Sequence, residues 1–170
     1  MSSEQTGDTT RLPQPSEVSE RERDDAMASY LMMFASLAVG LPVPLLNLVA
    51  SVIYFLVNRK TSRFVAFHAL QALLTHIPVV LLNAGLVGWV VANLVTRAGF
   101  WAPFRWYLVF TVLVNLAYIA WSIVALVRAH QGRFLYMPLI GRTCFGRYYG
   151  PRAEARRDPN RWVNKPPEGL

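Results

Sequence analysis

Apolar and polar positions are segregated into long blocks along this chain. The first 25 residues are polar, four apolar pieces follow at about 26–39, 42–57, 64–95 and 106–127, and the end is polar again. At 1.5 Å rise per residue, the last two pieces exceed the roughly 20 residues a helix needs to cross a hydrocarbon core. The first two are shorter, and Gly40-Leu41-Pro42-Val43-Pro44 between them removes two amide donors from any continuous helix. Two architectures satisfy the pattern. Either one kinked helix of about thirty residues crosses once, or two short helices form a hairpin that crosses twice.

The second arrangement gives an all-α integral membrane bundle of four transmembrane helices, the first two short. The expected organisation is a disordered N-terminal tail (1–25), a transmembrane domain (26–130), an interfacial basic and aromatic segment (131–150) and a disordered C-terminal tail (151–170). The N-terminal tail is rich in Ser, Glu, Pro and Arg, the C-terminal one is polar and Pro-rich, and both carry too little apolar surface to offset ordering entropy. The long, net acidic head is unlike that of a secretory signal, so the first apolar piece is expected to be retained.

Charge sharpens this picture. The chain is 54% hydrophobic and 16% charged, with a formal net charge of +7. Its acidic side chains lie outside the apolar pieces, with none between Asp25 and Glu154. Arg59, Lys60 and Arg63 form a cytoplasmic anchor after the second piece, and Arg128 with the basic C-terminal region marks the same side. With four crossings, both termini lie in the cytoplasm and the protein sits in the cell inner membrane. Three crossings would place the N-terminus outside, requiring translocation of an acidic tail without a cleavable signal.

The basic excess follows the cytoplasmic side and no nucleic-acid motif accompanies it, so nucleic acid is not an expected partner. The expected partners are the lipid bilayer, its anionic headgroups, and other membrane proteins or a second copy. The segment 98–107 packs five aromatics into an outer loop, as membrane-anchoring belts do. Ala84, Gly88 and Ala92 recur every fourth residue and form a flat helix-packing face. Asn47, Asn83 and Asn115 fall near the midplane, where amides either clamp helices together or line a polar path.

No cofactor or metal is expected. His68 and His76 stand roughly 12 Å apart along one helix, Cys144 is the single cysteine, and no nucleophile–base spacing is visible. With no intramembrane carboxylate, paired-carboxylate catalysis and proton pumping lack their usual groups.

Residues 58–74, NRKTSRFVAFHALQALL, carry the most specific pattern. Helical periodicity sets Phe64, Phe67, His68 and Gln71 along one side, with His68 and Gln71 neighbours at i, i+3. These two either tie the first hairpin or the C-terminal segment to the third helix, or form a polar entrance for a substrate segment or headgroup. The Phe-x-x-Phe-His-Ala-x-Gln-Ala core, with the later Gly132-Arg-Phe-Leu-Tyr-Met-Pro-Leu-Ile-Gly, resembles a bacterial family of small four-helix membrane proteins of unknown function, related to the Tic-type chloroplast inner-envelope import component. The resemblance covers about 26–141. It implies a four-helix domain with both ends on one side and no catalytic residues.

The expected function is therefore non-enzymatic: an accessory or subunit of a membrane assembly, acting through helix–helix contacts. A translocation or channel-like component is the alternative, and a membrane enzyme a third.

Overall fold

Ser19 begins the first regular helix. Its hydroxyl accepts the Glu22 N–H, and the Glu22 carboxylate accepts the Ser19 N–H at 3.0 Å, a reciprocal capping box that satisfies two otherwise unpaired donors. The computed structural model describes residues 12–32, 44–97, 99, 102–149 and 164–165. Among these, a 3-10 turn at Pro15–Glu17 precedes five α-helices: α1 (Glu20–Leu31), α2 (Pro44–Asn58), α3 (Arg63–Thr96), α4 (Ala102–His130) and α5 (Ile140–Tyr148). No strand occurs among the described residues.

This start differs from the expected boundary at residue 25. Residues 12–25 are folded, with Leu12 and Val18 buried, because the Arg23 side chain gathers the Val18 and Pro15 carbonyls at 3.1 and 2.6 Å and holds the 3-10 turn against α1. Asn164, in the other expected tail, is buried too. Its side-chain amide donates to the Pro13 and Gly132 carbonyls, and its oxygen accepts the Phe134 N–H. A polar composition underestimated order here because arginine and asparagine side chains satisfy backbone groups that apolar ones cannot.

α3 and α4 are both long and apolar enough to cross a membrane; α2 has an apolar stretch, Leu46–Asn58, that is shorter. Residues 33–43, which hold most of the Gly-Leu-Pro-Val-Pro punctuation, lie outside the described residues. Arg59, Lys60 and Arg63 are exposed at the turn between α2 and α3, where the Ser62 hydroxyl caps α3 by accepting the Val65 N–H.

α3 and α4 run antiparallel and meet in successive cross-helix contacts. His76 Nδ1 meets the Tyr118 hydroxyl at 2.7 Å, Asn83 meets Asn115, the Tyr107 hydroxyl donates to the Leu82 carbonyl at 2.9 Å, and Trp89 packs on Phe104. Gly85 makes the Tyr107 bond possible, since a Cβ there would lie 2.7 Å from the phenol oxygen. Phe104 and Tyr107, expected in an outer aromatic loop, thus sit in the first turns of α4 and face α3.

α4 ends in a Schellman motif. The Gly132 N–H bonds the Ala129 carbonyl and the Arg133 N–H bonds the Arg128 carbonyl, with Gly132 at φ +70°. The chain then runs back along α3 as an irregular strap, 133–139, and enters α5.

The core lies at this end of the molecule. Tyr30 and Ala26 of α1, Phe64 and Phe67 of α3, Ala125 and Ala129 of α4, Phe134 and Met137 of the strap, and Cys144 and Phe145 of α5 form one buried cluster. The distal part of α3 and most of α4 expose large apolar side chains, among them Leu81, Leu94, Val95, Phe110, Leu113 and Leu116. That is the surface a hydrocarbon solvent accepts. The aromatic residues of 131–150 consequently serve a protein core, while Arg142 and Arg147 stay on the outer side of α5.

Candidate functional site: a polar knot in an aromatic box

Three turns of α3 are buried on nearly every side, from Phe64 to Leu73 with only Leu70 partly accessible. α1, the strap and α5 surround them. His68 and Gln71 are fully enclosed, so each polar atom must find a partner inside the protein or carry a desolvation cost. Both meet Tyr30 of α1. Its hydroxyl lies 3.0 Å from His68 Nδ1 and accepts from Gln71 Nε2 at 3.0 Å. Gln71 also donates to the Leu135 carbonyl at 2.8 Å, and its oxygen accepts the Met137 N–H at 3.4 Å. One amide thereby joins α3 to α1 and clamps two backbone groups of the strap.

Rings close the box. Phe64 and Phe67 meet His68 edge-on, with centroids 4.6 and 5.2 Å away, and Phe134 stacks on it at 5.7 Å. His68 Nε2 is enclosed by this box without a hydrogen-bond partner, as is the hydroxyl of Tyr149. Deeper along α3, the Thr75 hydroxyl lies 2.7 Å from the Gln71 carbonyl and 2.8 Å from Met137 Sδ, two acceptors that share its one proton. No described nucleophile is held beside these groups by a base and an orienting third group. Among the described residues no three His, Cys, Asp or Glu side chains converge as metal ligands do.

Two of the three asparagines expected near the midplane are joined. Asn83 Nδ2 donates to Asn115 Oδ1 at 3.0 Å and Asn115 Nδ2 returns a bond to Asn83 Oδ1 at 3.1 Å. Each amide gives its second N–H to a carbonyl one turn back, Val79 and Thr111 respectively, so all four donors are used. Asn47 stands apart on α2, half-buried, with its carbonyl accepting from Ser51. Ala84, Gly88 and Ala92 line an exposed face of α3, and a Cβ on Gly88 would meet nothing within 4 Å.

Sequence reasoning passed over Tyr30, Tyr118 and Asn164. The two tyrosines had a signal, because a phenol within an apolar stretch needs a hydrogen-bond partner. Asn164 had none, standing 150 residues from its partner Gln14.

Outside the membrane-facing helices, burial raises the phenols of Tyr136, Tyr148 and Tyr149 above their ordinary value. Burial pushes the Cys144 thiol up to about 12. Burial also raises Glu22, but hydrogen bonds from the Ser19 N–H and the Ser19 and Ser62 hydroxyls outweigh it and leave the carboxyl below its ordinary value.

No curated protein and no solved structure matches the chain. A family model does, over residues 23–144, a span that begins in α1 and ends in α5 and so takes in the polar knot and both long helices. It supports a small helical, membrane-associated family and gives no support to the chloroplast-import relationship or to translocation. With most of its length matched, the chain belongs to the MamF/MmsF magnetosome magnetite crystal formation protein family.

Proposed function

We propose that the protein is a non-enzymatic, multi-pass component of the magnetosome membrane, working in magnetite crystal formation as an accessory or subunit through helix–helix contacts. The observation that carries this reading is the family match over a fold whose two long helices turn large apolar side chains outward along most of their length. Chemistry points the same way. The connection from Thr96 to Arg105 bears only Arg97 and Arg105 as charges, and no carboxylate occurs between Asp25 and Glu154. A membrane domain so composed offers no carboxylate oxygens to iron, and hence suits organising a membrane better than ligating a mineral.

The finer topology belongs to this proposal. The apolar pieces 26–39 and 42–57 would enter and return as a hairpin, giving four crossings with both termini and Arg59, Lys60 and Arg63 on the cytoplasmic side. The Asn83–Asn115 pair favours a clamp over a conducting path, since its four amide donors are already occupied.

The test is recovery of the tagged chain from magnetosome membranes in a mild detergent after brief cross-linking. Defined adducts with other membrane proteins or with itself are expected. Recovery as a monomer with no stable partner would overturn the subunit role.

A further inference from the structure

Between α3 and α4, beside the strap, lies an open apolar groove of about 530 Å³, within the range typical of small-molecule sites. Its walls include Val79 and Leu82 of α3, Phe110 and Ala117 of α4, and Met137 and Ile140 at its mouth. Antiparallel pairing places Thr75 and Trp121 at the level of the mouth and Leu82 and Phe110 at the far end. The α4 wall from Trp121 to Phe110 therefore extends roughly 16 Å at 1.5 Å per residue, about half of a hydrocarbon core near 30 Å thick. One leaflet spans that depth.

We infer that the groove holds one acyl chain of an anionic phospholipid whose headgroup rests at the strap and α5. Three observations single out this occupant. The groove is continuous with the exposed apolar surface, where Leu81, Leu113, Leu116 and Val124 already face outward, so a chain enters sideways from the bilayer without crossing a polar barrier. The charged side chains on the element at the mouth are basic: Arg142 and Arg147 lie exposed on α5, two and seven residues beyond the lining Ile140. Cations at that level attract anionic headgroups. Between the two lining residues Pro138 and Ile140, Leu139 is 89% exposed at φ +65°, a left-handed backbone costly for a branched side chain, which directs an apolar side chain outward beside the mouth. Apolar walls give a headgroup no partner, so the chain enters and the phosphate stays at the rim.

The inference rests on the membrane-embedded reading, and the experiment separates the two. The full-length protein is reconstituted into nanodiscs of phosphatidylcholine containing a small fraction of phosphatidylglycerol with a photoactivatable diazirine in its acyl chain, then irradiated and mapped by peptide mass spectrometry. Labelling is expected to concentrate on residues 75–82, 110–121 and 137–140, several-fold above Leu56 or Val95. It should fall several-fold in Ala117→Phe, which fills the groove, and at least two-fold in Arg142→Gln/Arg147→Gln. Equal labelling of all exposed apolar residues overturns the acyl site and leaves membrane embedding intact, whereas no labelling anywhere overturns embedding as well. Equal labelling from a phosphatidylcholine probe overturns the anionic preference. The wild-type map stands without any variant, so misfolding of Ala117→Phe does not shield the inference.

Discussion

Gly141 and Gly88 are both helical glycines with opposite surroundings. A Cβ on Gly141 would lie 2.8 Å from Tyr136 Cα and 3.0 Å from its carbonyl carbon, backbone atoms that cannot rotate away. Gly141→Ala is expected to destabilise by about 1–3 kcal/mol, the range of overpacking in a filled core. Gly88→Ala meets open space and should be neutral or stabilising by up to about 1 kcal/mol, because it removes a helix-interior glycine. Thermal unfolding of the two variants in one detergent checks the contrast. Glu22 adds a pH-dependent contribution. Its folded carboxyl titrates below the ordinary value of 4.5, so its stabilisation is fully present above that value and is lost as pH falls through the folded one. The difference in unfolding temperature between wild type and Glu22→Gln should accordingly shrink as pH falls below 4.5. Ser19→Ala, which removes the helix cap itself, should cost about 0.5–2 kcal/mol at neutral pH.

At the level of elements, the Asn83–Asn115 ring is the most polar contact between the two long helices. Replacing either asparagine by Leu strands its partner, and replacing both removes the need for one. A double-mutant cycle is expected to give a coupling of about 0.6–2 kcal/mol, while a coupling near zero would show that the helices associate by packing alone. Much of this level was legible in the sequence. The two long apolar runs predict α3 and α4, and the i, i+3 spacing puts His68 and Gln71 on one side of a helix. The partner of both, Tyr30, stands 38 residues before His68, beyond the reach of any spacing rule. Composition alone does not reveal that Phe134, Phe145 and Tyr149 are buried in the core, since amphipathic rings suit a membrane interface and a protein core equally well. The Schellman turn at Gly132 brings those rings inward by sending the strap back along α3. Order in residues 12–25 was hidden for a related reason: it depends on backbone groups satisfied by Arg23 and Asn164, and hydropathy does not register hydrogen bonds.

For the whole molecule, the orientation in the membrane can be read with cysteines at positions 10, 96 and 160. With the protein produced in the cell inner membrane of a host, Thr10→Cys and Asn160→Cys should be shielded from an impermeant thiol reagent in intact cells, and Thr96→Cys should be labelled. Labelling at 10 but not at 160 would instead indicate three crossings. The native thiol does not interfere. Cys144 is fully buried and its thiolate forms only near pH 12, so the unaltered chain should stay unlabelled at neutral pH until it is unfolded.

Pro78 divides α3 at the place where its surroundings change. Before it lie the enclosed turns that carry the polar knot; from Leu81 onward the large apolar side chains face outward. Proline supplies no N–H to the Leu74 carbonyl, so the helix is softest at this point. Such a joint isolates one half mechanically from the other. The outer half can tilt to match a thinner or thicker bilayer while Tyr30, His68 and Gln71 keep their geometry.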